Sequence, residues 1–300
     1  MFAVRIVTAD YYMANPLKDL DVCYSEFRED HVKRVPVVRI FGATPAGQKT
    51  CLHLHGIFPY IYVPYDGYGQ QPERYLRQVA FSIDRALNVS MGHPSSSVQH
   101  VFKVSLVSGM PFYGYHAKER LFMKMYLYNP SMVKRVCELL QGGAIMNKIY
   151  QPHEAHIPYL LQLFIDYNLY GMNLVNLGAV KFRKSQRTDD AGGTPKDGSI
   201  NSSFRLKCSM WRSRSTPKVQ LSDSSLEGAF VRWEEEAIPS SLVLEGVEKQ
   251  STCELEADAV AADILNRLEI ENRGFVASTE SERIFLKRLK EILRQNDFSV

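Results

Sequence analysis

Apolar positions along the first 180 residues follow two alternating periods. Val37-Val38-Arg39-Ile40-Phe41 is a short β-branched run with Pro36 at its start, where a strand tolerates proline. Residues 50–55 and 60–63 read as two further strands, divided by Gly56 and Pro59. The period then lengthens. Tyr75, Leu76, Val79, Ile83, Ala86 and Leu87 share one face of a helix opened by Pro72 and ended near Asn88. Residues 100–107 and 122–128 return to alternation. In the second of these, Phe122, Lys124, Tyr126 and Tyr128 face one way and Met123, Met125 and Leu127 the other. Asn129-Pro130 caps a helix striped by Met132, Val133, Val136, Cys137, Leu139 and Leu140, which Gly142-Gly143 terminates. A further helix is expected over 158–168.

The order over residues 48–141 is strand-helix-strand-strand-helix. It predicts an α+β fold with a mixed β-sheet and a ferredoxin-like unit, preceded by extra β structure. Residues 183–228 lose all periodicity and are rich in Ser, Gly, Pro and basic side chains, so they bury too little apolar surface to offset ordering entropy. Helical spacing resumes over 253–270 with Val260, Ala261, Ile264, Leu265 and Leu268. The capping box Thr279-Glu280-Ser281-Glu282 precedes a last helix striped by Phe285, Leu289, Ile292 and Leu293. The expected organisation is an α+β domain over 1–180, a flexible basic linker over 181–229 and an acidic helical segment over 230–300.

Charge sharpens this division. The whole chain of 300 residues carries a net +3. Residues 1–180 hold 17 Lys+Arg against 13 Asp+Glu, residues 181–218 hold 10 against 3, and residues 219–300 hold 9 against 17. The total is therefore uninformative, while the middle segment is strongly basic. A composition of 45% hydrophobic residues excludes a collagen-like or wholly disordered chain. The most apolar stretch, from Tyr159 to Ile165, is far short of the ~20 residues that span a bilayer, and residues 1–10 lack a secretory core. A soluble intracellular chain with no membrane partner is expected. Five cysteines, widely spaced and without a CxxC pair, argue against a disulfide framework or a cysteine zinc site.

The sharpest local pattern is Cys51-Leu52-His53-Leu54-His55. His53 and His55 point to one face of a strand, where two imidazoles could share a metal ion. The bland alternative is two histidines hydrogen-bonded to neighbours, and a metal site needs three or four ligands. His153-Glu154-Ala155-His156 is one residue short of the zincin pattern. Neither a glycine-rich phosphate loop nor a GxSxG elbow is present. Tyr113-Gly114-Tyr115 and the cluster Tyr60, Tyr62, Tyr65, Tyr68 could stack single-stranded bases, against the alternative of core packing. Lys181, Arg183 and Lys184, followed by Arg187, Arg212 and Arg214, could touch phosphates, against the alternative of a solvated linker.

Several long stretches carry a family likeness. Residues 47–64 (GQKTCLHLHGIFPYIYVP), Phe112-Tyr113-Gly114-Tyr115-His116, residues 154–166 (EAHIPYLLQLFID) and residues 251–258 (STCELEAD) resemble, in order, the N-terminal domain of eukaryotic family B DNA polymerases of the delta and zeta type. The resemblance spans about residues 1–180 and 230–300 and is weak between them. It implies a family B polymerase N-terminal domain in a nuclear protein of DNA synthesis past lesions and DNA repair. The implied role is scaffolding and template-side DNA contact. The residues' own chemistry makes Lys181, Arg183, Lys184, Tyr113 and Tyr115 the candidate nucleic-acid contacts. The family's SLYPSI-like and Y-x-DTD polymerase motifs and the exonuclease DxE do not occur in these residues, so no catalytic residue and no metal ligand is carried over. The chain is expected to be a fragment, inactive alone and with no cofactor of its own. The implied full-length enzyme uses Mg and carries a C-terminal iron–sulfur cluster. Its implied partners are primer-template DNA and accessory subunits, the latter mostly through regions absent here. A free-standing single-stranded nucleic-acid-binding module and a metal-dependent hydrolase using His53 and His55 stand as alternatives.

Overall fold

The computed structural model describes residues 2–67, 71–111, 116, 118–184 and 232–267. In chain order the strands are β1 (Phe2–Ala14), β2 (Tyr24–Ser25), β3 (Asp30–His31), β4 (Val35–Ala43), β5 (Lys49–His55) and β6 (Tyr60–Pro64). Helix α1 (Pro72–Ser90), strands β7 (Val101–Gly109) and β8 (Arg120–Leu127), and helices α2 (Val133–Gln141) and α3 (Tyr159–Asp166) follow. The last strands are β9 (Leu174–Leu177), β10 (Lys181–Lys184), β11 (Val243–Glu248) and β12 (Leu255–Val260). No described helix is long and apolar enough to cross a membrane.

Seven strands form one mixed sheet in the order β11-β10-β12-β5-β4-β1-β9. The β11–β10 and β12–β5 pairs are parallel and the others antiparallel. One face carries Val4, Ile6, Val38, Ile40, Leu52, Leu54, Phe182, Leu255, Ala257 and Ala259. This face builds an apolar core with α3 through Tyr159 and Leu163. Burial of the Val, Ile, Leu and Phe side chains contributes about 1.5–3 kcal/mol each. β1 and β4 meet closely at a bulge between Ile6 and Thr8. A Cβ on Gly42 would lie 1.8 Å from the Arg5 carbonyl oxygen, so this pairing requires glycine.

β6, α1, β7, β8 and α2 form the second unit, with an antiparallel sheet in the order β6-β8-β7. Its core joins Ile61, Val63, Met123, Met125 and Leu127 to Leu76, Val79, Ile83 and Leu87 of α1 and to Val136 and Leu140 of α2. The strand order is that of a split β-α-β unit. An isolated antiparallel bridge joins Tyr62 of β6 to His153. On the other face of this sheet, Lys124 is buried with its ammonium 3.8 Å from the centre of the Tyr60 ring, 5.4 Å from Tyr62 and 5.0 Å from Tyr126. Cation–π attraction partly replaces the lost hydration.

Two expectations are corrected. The helix over 253–270 is instead strand β12 followed by short 3-10 turns at Ala261–Asp263 and Leu265–Arg267. Leu255-Glu256-Ala257-Asp258-Ala259 alternates with period two, and both faces are buried: the apolar residues enter the core and the acids pair on the opposite side. Residues 181–184 are likewise strand β10, held between β11 and β12. Residues 232–267 thus enter the same sheet as residues 2–184. The last expected helix and most of the expected linker lie outside the described residues.

Candidate functional site

The polar face of the large sheet is built by alternation. Cys51, His53 and His55 project from β5, and Glu256 and Asp258 from β12. The parallel register sets Glu256 opposite Cys51 and Asp258 opposite His53. His53 Nε2 lies 2.9 Å from Glu256 Oε1, and His55 Nε2 lies 3.0 Å from Asp258 Oδ1. Arg183 of β10 donates from Nε to Asp258 Oδ2 at 2.7 Å and from Nη2 to Oδ1, and its Nη1 is 3.5 Å from Glu256 Oε1. Tyr12 of β1 places its hydroxyl 3.0 Å from His53 Nδ1. The Asp21 carboxylate lies 2.9 Å from His55 Nδ1. His53, His55 and Asp258 have no exposed surface.

The carboxylates are well provided with donors. Glu256 also accepts from the Gln250 and Ser251 amides and the Ser251 hydroxyl. Burial works against its charge, but hydrogen bonds from His53 and Ser251 prevail and lower its pKa to about 2. Burial likewise opposes the Asp258 charge, and the Arg183 and His55 hydrogen bonds hold its pKa below the usual range. The Cys51 thiol is pushed up to about 12 by burial and then by the Glu256 charge, which makes it a poor nucleophile.

Cys51 Sγ, His53 and Glu256 offer three ligand atoms within 4.8 Å of one another. Their chemistry does not fit a cation. The Arg183 guanidinium already approaches Glu256 Oε1, and that carboxylate is engaged by two amides and a hydroxyl. His53 and His55 turn to separate carboxylates rather than toward a shared ion. The arrangement is an internal electrostatic clamp.

The residues singled out as DNA contacts separate. Arg183 is buried and committed to Asp258 and Glu256. Lys181 and Lys184 are exposed, and Lys181 Nζ donates to the Ser241 carbonyl at 2.7 Å. Tyr113, Tyr115, Tyr68, Arg187, Arg212 and Arg214 lie outside the described residues. Tyr60, Tyr62 and Tyr65 are buried, so their ring faces serve packing. Glu154 is buried, and burial raises its pKa to about 8. Sequence reasoning missed the partnership of Arg183 with Asp258. Its signal was present: charged residues at alternate positions inside the apolar run 255–259 need opposite charges, and Val180-Lys181-Phe182-Arg183 also alternates.

A separate cleft of about 430 Å³ is lined by Lys33 and Arg34 against one carboxylate, Asp30, and by Met13, His100 and Tyr128, among others. Lys33 and Arg34 are exposed at it, and Tyr128 is half-buried. It is the basic, aromatic-backed concavity on the described surface that the linear pattern did not reveal.

Comparison with known proteins gives first the class. Residues 56–134 match the family described as "DNA polymerase delta catalytic subunit-like, N-terminal domain". Residues 1–55 match "DNA polymerase zeta catalytic subunit, N-terminal". The chain is 64% identical to the human DNA polymerase zeta catalytic subunit over 335 aligned residues, covering 100% of this chain and 10% of that protein. It is 36% identical to the Arabidopsis thaliana zeta subunit, covering 89% of this chain and 15% of that one. The family B DNA polymerase structure from Pyrobaculum calidifontis overlaps 62% of this chain and 18% of its own, with a TM-score of 0.38 and 17% identity. The chain belongs to the N-terminal region of family B polymerase catalytic subunits of the zeta type. It spans about a tenth of the length of the human zeta subunit.

Proposed function

We propose that this chain is the non-catalytic N-terminal part of a translesion DNA polymerase, which frames the template side of the enzyme and contacts DNA through backbone phosphates. The observation that carries this reading is the 64% identity to a zeta catalytic subunit along the whole chain. It is supported by the site itself, where the buried carboxylates are matched to Arg183 and two imidazoles and do not open onto a substrate. Exposed Lys33 and Arg34 at the cleft, with Lys181 and Lys184 on the sheet, supply the cations for salt-sensitive phosphate contact. Tyr113 and Tyr115 are further contacts on this reading. The parent activity is nuclear DNA synthesis past lesions. Its Mg chemistry, iron–sulfur cluster and most accessory-subunit contacts belong to regions beyond this chain.

A free-standing single-strand binder is the second reading, favoured by the same cleft. One titration separates the two. Fluorescence anisotropy with labelled single strands and primer-template is expected to show weak binding that falls steeply with salt and prefers the primer-template. Lys33→Ala/Arg34→Ala should reduce it several-fold. Tight, single-strand-selective binding would favour the second reading, and no binding at low salt would remove both. Primer extension with Mg by the purified chain would overturn the non-catalytic assignment.

A further inference from the structure

His55 is enclosed between two carboxylates that reach it from opposite sides. Asp21 Oδ2 is 2.9 Å from Nδ1, and Asp258 Oδ1 is 3.0 Å from Nε2. An ionised carboxylate only accepts, so both contacts are hydrogen bonds only when both ring nitrogens carry protons. The surroundings call for that charge. Asp21, on the segment after β1, and Asp258 of β12 touch it directly; through Asp258 the network runs on to Arg183 of β10, which also approaches Glu256, and Glu256 meets His53 of β5, itself in contact with Cys51 and with Tyr12 of β1. Three carboxylates there meet one guanidinium. Asp21 Oδ2 also accepts from the Leu17 amide, whereas its buried Oδ1 has no partner.

The two acids come from distant parts of the chain. Asp21 belongs to the turn at 17–21, and Asp258 to a strand that joins the sheet only after residues 185–231. His55 is the point at which both touch β5. We propose that doubly protonated His55 is a latch that pins the 17–21 turn and strand β12 to β5, and that its deprotonation on the alkaline side loosens both.

Burial alone pulls the imidazole pKa down. The Asp21 and Asp258 hydrogen bonds and charges outweigh it and raise it from 6.5 to about 8. Because the folded value is raised, the extra stability is complete below pH 6.5 and is lost as pH rises through about 8. The folding equilibrium constant should fall about 30-fold across that window, the factor set by this difference in pKa.

Side-chain ¹H–¹⁵N NMR on the whole 300-residue chain tests the latch. At pH 7 both His55 nitrogens should carry protons, with a midpoint near 8, and the resonances of 17–21 and β12 should shift with the same midpoint. Asp21→Asn, which leaves the ring in place, should lower that midpoint and flatten the alkaline fall in stability. His55→Gln should abolish the fall. Should that variant not fold, the Asp21→Asn midpoint decides. A midpoint at or below 6.5, a singly protonated ring at pH 7, or a midpoint unmoved by Asp21→Asn would overturn the latch.

Discussion

The small β6-α1-β7-β8-α2 unit and the polar face of the large sheet reach burial by opposite means. The small unit gathers its core from residues 60–150 and fills it almost wholly with apolar side chains. The large sheet gathers Asp21, His53, His55, Arg183, Glu256 and Asp258 from across the chain and buries charge against charge. In the first, each contact stabilises in proportion to area and neighbours share the load. In the second, desolvation is large for every ion, so the network holds only while each charge has its partner. A local core therefore degrades gradually, and a long-range ionic face fails as a unit.

The largest effect that can break this comparison is at Arg183. Arg183→Ala would leave Asp258 and Glu256 buried without their guanidinium, and a loss of about 3–5 kcal/mol is expected, enough to unfold a marginal domain. Chemical denaturation measures it; a change below about 1 kcal/mol would show the ions to be better solvated than their burial indicates. A far smaller effect is expected in the small unit. Ile83, fully buried on α1, should cost about 0.5–1.5 kcal/mol as Ile83→Val. An equal loss at the two sites would erase the distinction between them.

The same contrast explains what the sequence made legible. The small unit follows from periodicity because each strand and helix finds its partner within a short stretch of chain, and the apolar spacing of Tyr75 to Leu87 alone predicts α1. The partners of His53 and His55 were not legible. Tyr12 and Asp21 precede them by 41 and 34 residues, Glu256 and Asp258 follow by 203, and pairing of β5 with β12 is parallel, so no hairpin turn announces it. The helical stripe expected over 253–270 does not form a helix, although its Ala261 and Ile264 are buried. It lost to the alternation of residues 255–259, where two acids face a guanidinium and two imidazoles. Arg183 read as a phosphate contact because a basic run looks solvated until its acidic partner is known. The family likeness, by contrast, was legible in the wording of CLHLH and CELEAD, the two segments that pair as β5 and β12.

Strand β12 is expected to fold cooperatively with β5, β4 and β1 around the buried ions, although it follows them by some 200 residues. Native-state hydrogen exchange on the whole chain tests it most directly. The amides of β12 should exchange with those of β5 at the same slow rate, set by global unfolding. Fast exchange of β12 by local opening while β5 stays protected would contradict the claim and make residues 232–267 an appendage.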